Sequence, residues 1–171
     1  MATALLDDKK DQMTISRLTM WLLPILAGVL LGGCVMKKPP VTAAYVVVFK
    51  TPQWRFADTG YIRKGDGVAE LEVFEAGQRI LRLQIESLVC MEGEGCLAKS
   101  AFNAKYLSAA YPDDLFYHLL RGEAIMERRN LVHTDEGFEQ QVGGIVYRVT
   151  AEQIYFRDLE HGILIKFKRL Q

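Results

Sequence analysis

The sequence predicts an α+β domain: a curved antiparallel sheet, an open half-barrel, covered by two short helices and preceded by an N-terminal signal segment. Three observations predict it. Apolar and polar residues alternate with period two on both sides of two tight-turn sequences, Lys64-Gly65-Asp66-Gly67 and Glu75-Ala76-Gly77-Gln78, as strands with one buried and one wet face do. The middle of the chain, residues 99–122, switches to helical spacing, and beyond residue 137 the alternation returns. Strands, then helices, then strands again argue for segregated layers rather than βαβ units.

The first strand signal is Tyr45-Val46-Val47-Val48-Phe49, a β-branched and aromatic run that ends at Pro52. A second strand around Phe56–Ile62 leads into the Asp66-Gly67 turn, a dipeptide suited to tight hairpins because the central residues take positive φ. After it, Ala69, Leu71 and Val73 alternate with Glu70 and Glu72, and Leu81, Leu83 and Ile85 alternate with Arg82 and Gln84. A hairpin in this register brings Glu70 and Glu72 close to Arg82 on the wet face.

From Lys99 to Ala110 the chain is rich in alanine and places Phe102 and Tyr106 one helical turn apart. Tyr111-Pro112-Asp113-Asp114 then opens a second helix, since proline suits the first helical position and carboxylates suit the positive end of the dipole. That position gives Asp113 and Asp114 a capping role rather than that of a catalytic pair. Leu115, Phe116, Leu119 and Leu120 form the apolar stripe of this helix, and Gly122 stops it. The closing strands are Gly137–Gln141, Ile145–Val149, Gln153–Arg157 and Ile163–Lys168, with turns at Gly143-Gly144 and His161-Gly162.

Ahead of the domain, residues 18–36 are uncharged, preceded by Arg17 and followed by Lys37 and Lys38, the layout of a secretory signal. Asp7, Asp8 and Asp11 make residues 1–12 too acidic for an n-region, so Met13 is the expected true start. A transmembrane helix is the competing reading, because 19 residues can just span a bilayer of ~30 Å. Pro24, Gly28, Gly32, Gly33 and the position of the lysines weigh against it. Leu31-Gly32-Gly33-Cys34 resembles the lipobox of bacterial lipoproteins. The resemblance implies diacylglycerol on Cys34, cleavage before it and acylation of the new amino terminus, which gives stable attachment because several chains share the anchoring. By likeness to enteric lipoproteins, Val35 rather than aspartate after Cys34 implies the outer membrane. The expected organisation is a signal peptide (1–33), a lipidated tether (34–44) and one α+β domain (45–171).

Composition restricts the function further. With 21 basic and 21 acidic residues the formal charge is zero, which gives no support to a nucleic-acid surface. Once Cys34 is acylated, Cys90 and Cys96 remain, separated by the flexible, acidic insert Met-Glu-Gly-Glu-Gly. A disulfide between them is expected in the periplasm. A metal site would lack further ligands at the right spacing, and a redox motif would need a shorter spacing. His118, His133 and His161 fall in a helix, a loop and a turn, and none belongs to a metal, nucleophile or phosphate-loop motif. The chain is therefore expected to be non-catalytic and to carry no cofactor and no metal.

Five stretches, the lipobox, "VAELEVFEAGQRILRLQI", "PDDLFYHLLRGE", "GFEQQVGGIVYRV" and "ILIKFKRL", together resemble the LolB-like lipoprotein-localisation receptors of the outer membrane. The resemblance implies an open antiparallel barrel closed on one side by helices, whose apolar concave face takes up lipoprotein acyl chains handed over by a soluble periplasmic carrier. Carried over to this sequence, the cavity would be lined by Leu71, Val73, Leu81, Leu83, Ile85, Ile163, Ile165 and Phe167, with Leu115 and Leu119 on the helical lid. Leu88 or Val89 is the nearest match to the apolar loop residue that such receptors point at the membrane. The alternatives are ordinary core packing for these residues and, for the protein, a structural or interaction lipoprotein of an envelope assembly.

Overall fold

The computed structural model describes residues 39–171. Eleven strands form one antiparallel sheet: β1 (Val41–Lys50), β2 (Arg55–Lys64), β3 (Ala69–Glu75), β4 (Gln78–Ile85), β5 (Val89–Met91) and β6 (Gly95–Leu97), followed by β7 (Leu131–Thr134), β8 (Gly137–Val142), β9 (Ile145–Thr150), β10 (Gln153–Asp158) and β11 (Ile163–Arg169). Their order across the sheet is β6-β5-β4-β3-β2-β1-β11-β10-β9-β8-β7. Each half is a meander of neighbouring strands, and the two halves join where β1 pairs with β11, Tyr45 opposite Arg169 and Lys50 opposite Leu164. The sheet does not close, so β6 and β7 are its edges. The helices α1 (Lys99–Tyr106) and α2 (Leu115–Arg121) lie in the connection between the halves. The class is therefore α+β, an unclosed antiparallel sheet with two short helices, as the alternation predicts.

Alternation decides which side of the sheet is dry. In β1 Tyr45, Val47 and Phe49 are buried while Val46 and Val48 are half-buried, and in β11 Ile163, Ile165 and Phe167 are buried between Leu164 and Lys166. The inward side chains merge with α1 and α2 into one hydrophobic cluster.

Close approach shapes β2. A Cβ on Gly60 would lie 2.4 Å from the Glu72 carbonyl oxygen and 2.9 Å from Val47 Cγ2. Only a residue without a side chain lets β3 and Val47 come this near. Gly60→Ala is expected to destabilise the protein by about 1–3 kcal/mol through overpacking. A urea titration checks this, with the midpoint falling and the slope unchanged.

Both helices are short and depend on packing. Phe102 and Tyr106 of α1 are buried, Tyr106 stacks on Trp54 at 4.7 Å between ring centroids, and Phe102 meets Phe116 of α2 at 5.3 Å. Gly122 ends α2 in the left-handed conformation, φ 66°, and its N–H donates to the carbonyls of His118 and Leu119.

Several local expectations are corrected. β1 begins at Val41, so residues 41–44 are strand rather than tether; Val41 to Ala44 pair with Lys64 to Tyr61. The first helix ends at Tyr106, short of Ala110. Asp114 occupies the N-cap of α2 without a capping hydrogen bond from its side chain, because that carboxylate instead accepts from Lys99 Nζ at 2.5 Å. His133 lies in strand β7, not in a loop. The insert between Cys90 and Cys96 is not a loose loop but the turn of the β5–β6 hairpin, in which the two cysteines stand opposite each other.

Candidate functional site

The concave face is the place to look for a ligand, and the structure brings the residues expected there together. Leu71, Val73, Leu83, Ile85, Leu115, Leu119, Ile163, Ile165 and Phe167 all belong to the buried cluster, each at most 1 % exposed, and Leu81 packs against it half-buried. A side chain so covered touches no space that a water molecule could enter. In this structure these residues pack together as core. What periodicity could not show is the filling itself: Phe49 sits among Trp54, Phe56, Phe116 and Phe167, with ring centroids 5.3–6.0 Å apart, and these rings occupy the hollow of the half-barrel.

Hydrogen bonds hold the helical cover down. At the end of α2, Lys64 Nζ donates to the Arg121 carbonyl at 2.9 Å, Arg121 Nη1 donates to the Gly65 carbonyl at 2.7 Å, and the Tyr147 hydroxyl donates to the Glu123 carbonyl at 2.9 Å. Burial, and then the Arg121 guanidinium, lower the Lys64 pKa. Ahead of α2, the Tyr111 hydroxyl donates to Asp158 Oδ2 at 2.5 Å. Asp158 also meets His161 Nδ1 at 2.8 Å and accepts from the backbone N–H groups of Glu160 and His161. Burial alone would raise its pKa, but these donors hold it below the usual aspartate value. The Tyr111 phenol is pushed up by burial and then by the Asp158 carboxylate. Tyrosine, aspartate and histidine thus form a clasp between the α1–α2 connection and β10, with Tyr111 and Asp158 buried and His161 at the surface.

A second clasp holds the segment after α2. Gln140, buried in β8, accepts from Ile125 N at 2.8 Å and donates to the carbonyls of Ile125 at 3.0 Å and Arg129 at 2.8 Å. It fixes a single turn, Met126–Arg128, whose three residues have positive φ of 48°, 56° and 63°. Left-handed geometry costs non-glycine residues about 1–2 kcal/mol each, so the turn persists only because its neighbours hold it.

The charges on the wet face of β2–β4 are arranged as the hairpin register predicts, with one difference. Glu70 is buried rather than solvated, its carboxylate accepting from Arg63 Nη1 at 2.6 Å and Arg82 Nε at 2.9 Å. Open grooves lie on the same outer side of the sheet. One, of about 710 Å³, is lined by Val46, Ala57, Thr59, Tyr61 and Phe74 beside the Ala76-Gly77 turn. Another, of about 730 Å³, is lined by Val132, Glu139, Gln141, Val146 and Arg148.

Cys90 and Cys96 are bonded to each other. The hairpin they close is tied to α1 through Glu94, which accepts from the Tyr106 hydroxyl and from Lys105 Nζ. Reduction of the disulfide is expected to cost about 2 kcal/mol by the loop-entropy argument, modest because the loop is short. It should also speed amide exchange in α1, which hydrogen exchange with and without reductant reads directly. Of the two membrane-facing candidates, Val89 is buried, which removes it, whereas Leu88 is 45 % exposed in the β4–β5 turn. Cys34 lies outside the described residues. Among the described residues no group of three or more metal-ligating side chains converges, and no helix is long and apolar enough to cross a membrane.

The sequence matches no protein-family model and no curated protein.

Proposed function

We propose that the protein is an envelope lipoprotein, anchored in the outer membrane through Cys34, that works as a rigid binding platform, its partner meeting the outer face of the sheet. The observation that carries this reading is the concave face, filled by the chain's own aromatic side chains and covered by helices pinned at both ends. Such a face offers an incoming chain no space. The outer face does, in the open groove around Tyr61 and Phe74, whose lining mixes apolar side chains with Asp58 and Thr59.

Orientation supports the same reading. Register carries Val41 across to Lys64, Ala69 and Ile85, so the start of β1 and the β4–β5 turn with Leu88 share one end of the sheet. Leu170, also exposed, donates to the Ala44 carbonyl at that end. Val41 follows Cys34 by seven residues, at most about 25 Å of extended chain. An anchor at Cys34 would hold Val41, and with it this apolar end of the sheet, within about 25 Å of the lipid.

A LolB-like receptor is the second reading, and the architecture favours it: an unclosed sheet with a continuous apolar inner face beneath two helices. Acyl uptake would require the clasps at Asp158 and Arg121 to open. Depletion in cells separates the two. On the platform reading, lipoproteins do not accumulate on their periplasmic carrier, and a photo-crosslinker at Tyr61 gives a discrete adduct that one at Glu75 does not. Accumulation on the carrier, with an acyl chain recovered from the purified protein, would overturn it.

A further inference from the structure

We infer that β7 is a self-pairing edge, through which two copies of this chain join their sheets antiparallel about a two-fold axis at Val132. The inference goes beyond the outer-face platform: its pairing geometry rests on the edge, and its strength on the membrane anchor of that reading.

The direction of the β7 backbone groups follows from the β7–β8 hairpin. Its turn has two residues, Asp135 and Glu136, so Thr134 and Gly137 form the hydrogen-bonded closing pair. Every second residue then faces β8 in the same way, which assigns Val132 with Glu139. Asn130 confirms the phase, because its Nδ2 reaches the Gln141 carbonyl at 2.8 Å, the next group directed at this strand. The N–H and C=O groups of Leu131 and His133 therefore point away from the sheet, and among the described residues no other strand or loop backbone pairs with them.

Those two residues fix the possible partner registers. For a strand meeting its own copy antiparallel, hydrogen-bonded pairs must join outward residues to outward residues. Placing Leu131 opposite His133 of the second copy satisfies all four outward groups on each strand. It sets Val132 against itself on the axis, in a pair without mutual hydrogen bonds, where side chains approach most closely. Val132 is 60 % exposed and carries no charge to repel its copy. The strand itself, Leu-Val-His-Thr, has none of the lysines or prolines that protect sheet edges.

Charge selects a second copy over an unrelated strand. β7 is preceded by Glu127, Arg128 and Arg129, a net charge of +1, and followed by Asp135 and Glu136, a net charge of −2, and all five side chains are exposed. In the register centred on Val132, the arginine turn of each copy comes beside the acidic turn of the other, twice over by symmetry. The left-handed turn clasped by Gln140 holds the arginines at the strand's end. Four residues make a small interface, below the ~1,000 Å² of stable complexes. Confinement of both chains to one membrane surface would raise their effective concentration and compensate for this.

The test uses the full-length chain in cells, with Val132→Cys and Thr134→Cys, each exposed to a mild oxidant. Pairing about Val132 puts two copies of residue 132 within disulfide reach and two copies of residue 134 about 13 Å apart along the strands, too far to bridge. A cross-linked dimer at least about tenfold stronger at position 132 is expected. Arg128→Glu with Arg129→Glu should abolish it, and coexpression with an Asp135→Lys, Glu136→Lys chain should restore it. Equal yields at the two positions, no dimer at 132, or an adduct with a different protein would each overturn the inference. A dimer of the unmodified chain would instead reveal a free Cys34. That result would end the lipoprotein reading and leave the difference between positions 132 and 134 to decide the pairing.

Discussion

Phe49→Ala is expected to lower the stability of the domain by about 4 kcal/mol, the middle of the range for emptying a buried aromatic site. The ring is fully buried. It stands where β1, α2 and β11 converge and touches Trp54, Phe56, Phe116 and Phe167. Part of the loss is transfer of the ring to water; part is the void, since neighbours pinned in a sheet and under a clasped helix relax little. Phe74→Ala on the outer groove removes a ring of the same size from a half-buried position and should cost less than about 1.5 kcal/mol. Urea titrations of both variants give the comparison. The Phe49 variant also tests the two functional readings. A void lined by Trp54, Phe56, Phe116 and Phe167 is apolar and stays dry, so benzene should raise the midpoint of that variant and leave the unmodified protein unchanged. If the unmodified protein responds as strongly, its hollow already opens to apolar guests and the LolB-like reading gains.

The halves of this fold differ in how far the sequence discloses them. β3, β4, β9, β10 and β11 were legible because each spans six or more residues, enough for the two-residue period to show. β5 and β6 have three residues each, too few for a period, and exist because β4 offers an edge to β5 and β5 in turn to β6. Their cysteines suggested a bridge; they did not suggest that the bridge crosses two strands. The site was less legible than the fold, for a physical reason. Alternation says which side chains point inward, but whether they enclose a void depends on what comes down from the helices and from Trp54, which no local pattern encodes. The clasps did leave a signal. Gln140 and Asp158 occupy the inward phase of β8 and β10, beside Phe138 and Phe156. A polar residue in an apolar phase has to find partners, and here the partners hold down the cover.

Asp158 shows how much the cover depends on such a residue. Asp158→Ala strands the buried Tyr111 hydroxyl and two backbone N–H groups, for a cost of about 3 kcal/mol at neutral pH. Charge can be separated from shape with Asp158→Asn, which keeps the volume. In the native protein the donors from Tyr111, His161 and Glu160 outweigh burial and depress the aspartate pKa. Folding therefore favours the ionised form, and this contribution is complete above the ordinary aspartate pKa, near 4. It declines as pH falls below that value and is gone once the pH has passed through the lower, folded-state pKa. The stability difference between the native protein and Asp158→Asn should accordingly be constant from pH 7 to about 5 and shrink towards pH 3. Hydrogen exchange should show where the loss is felt. If Asp158 clasps the cover, the amides at the start of α2 exchange faster in the variant at neutral pH, while those of β3 and β4 keep their protection. A difference that grows on acidification would mean that the carboxylate is held in its protonated form, and the clasp as drawn would fail.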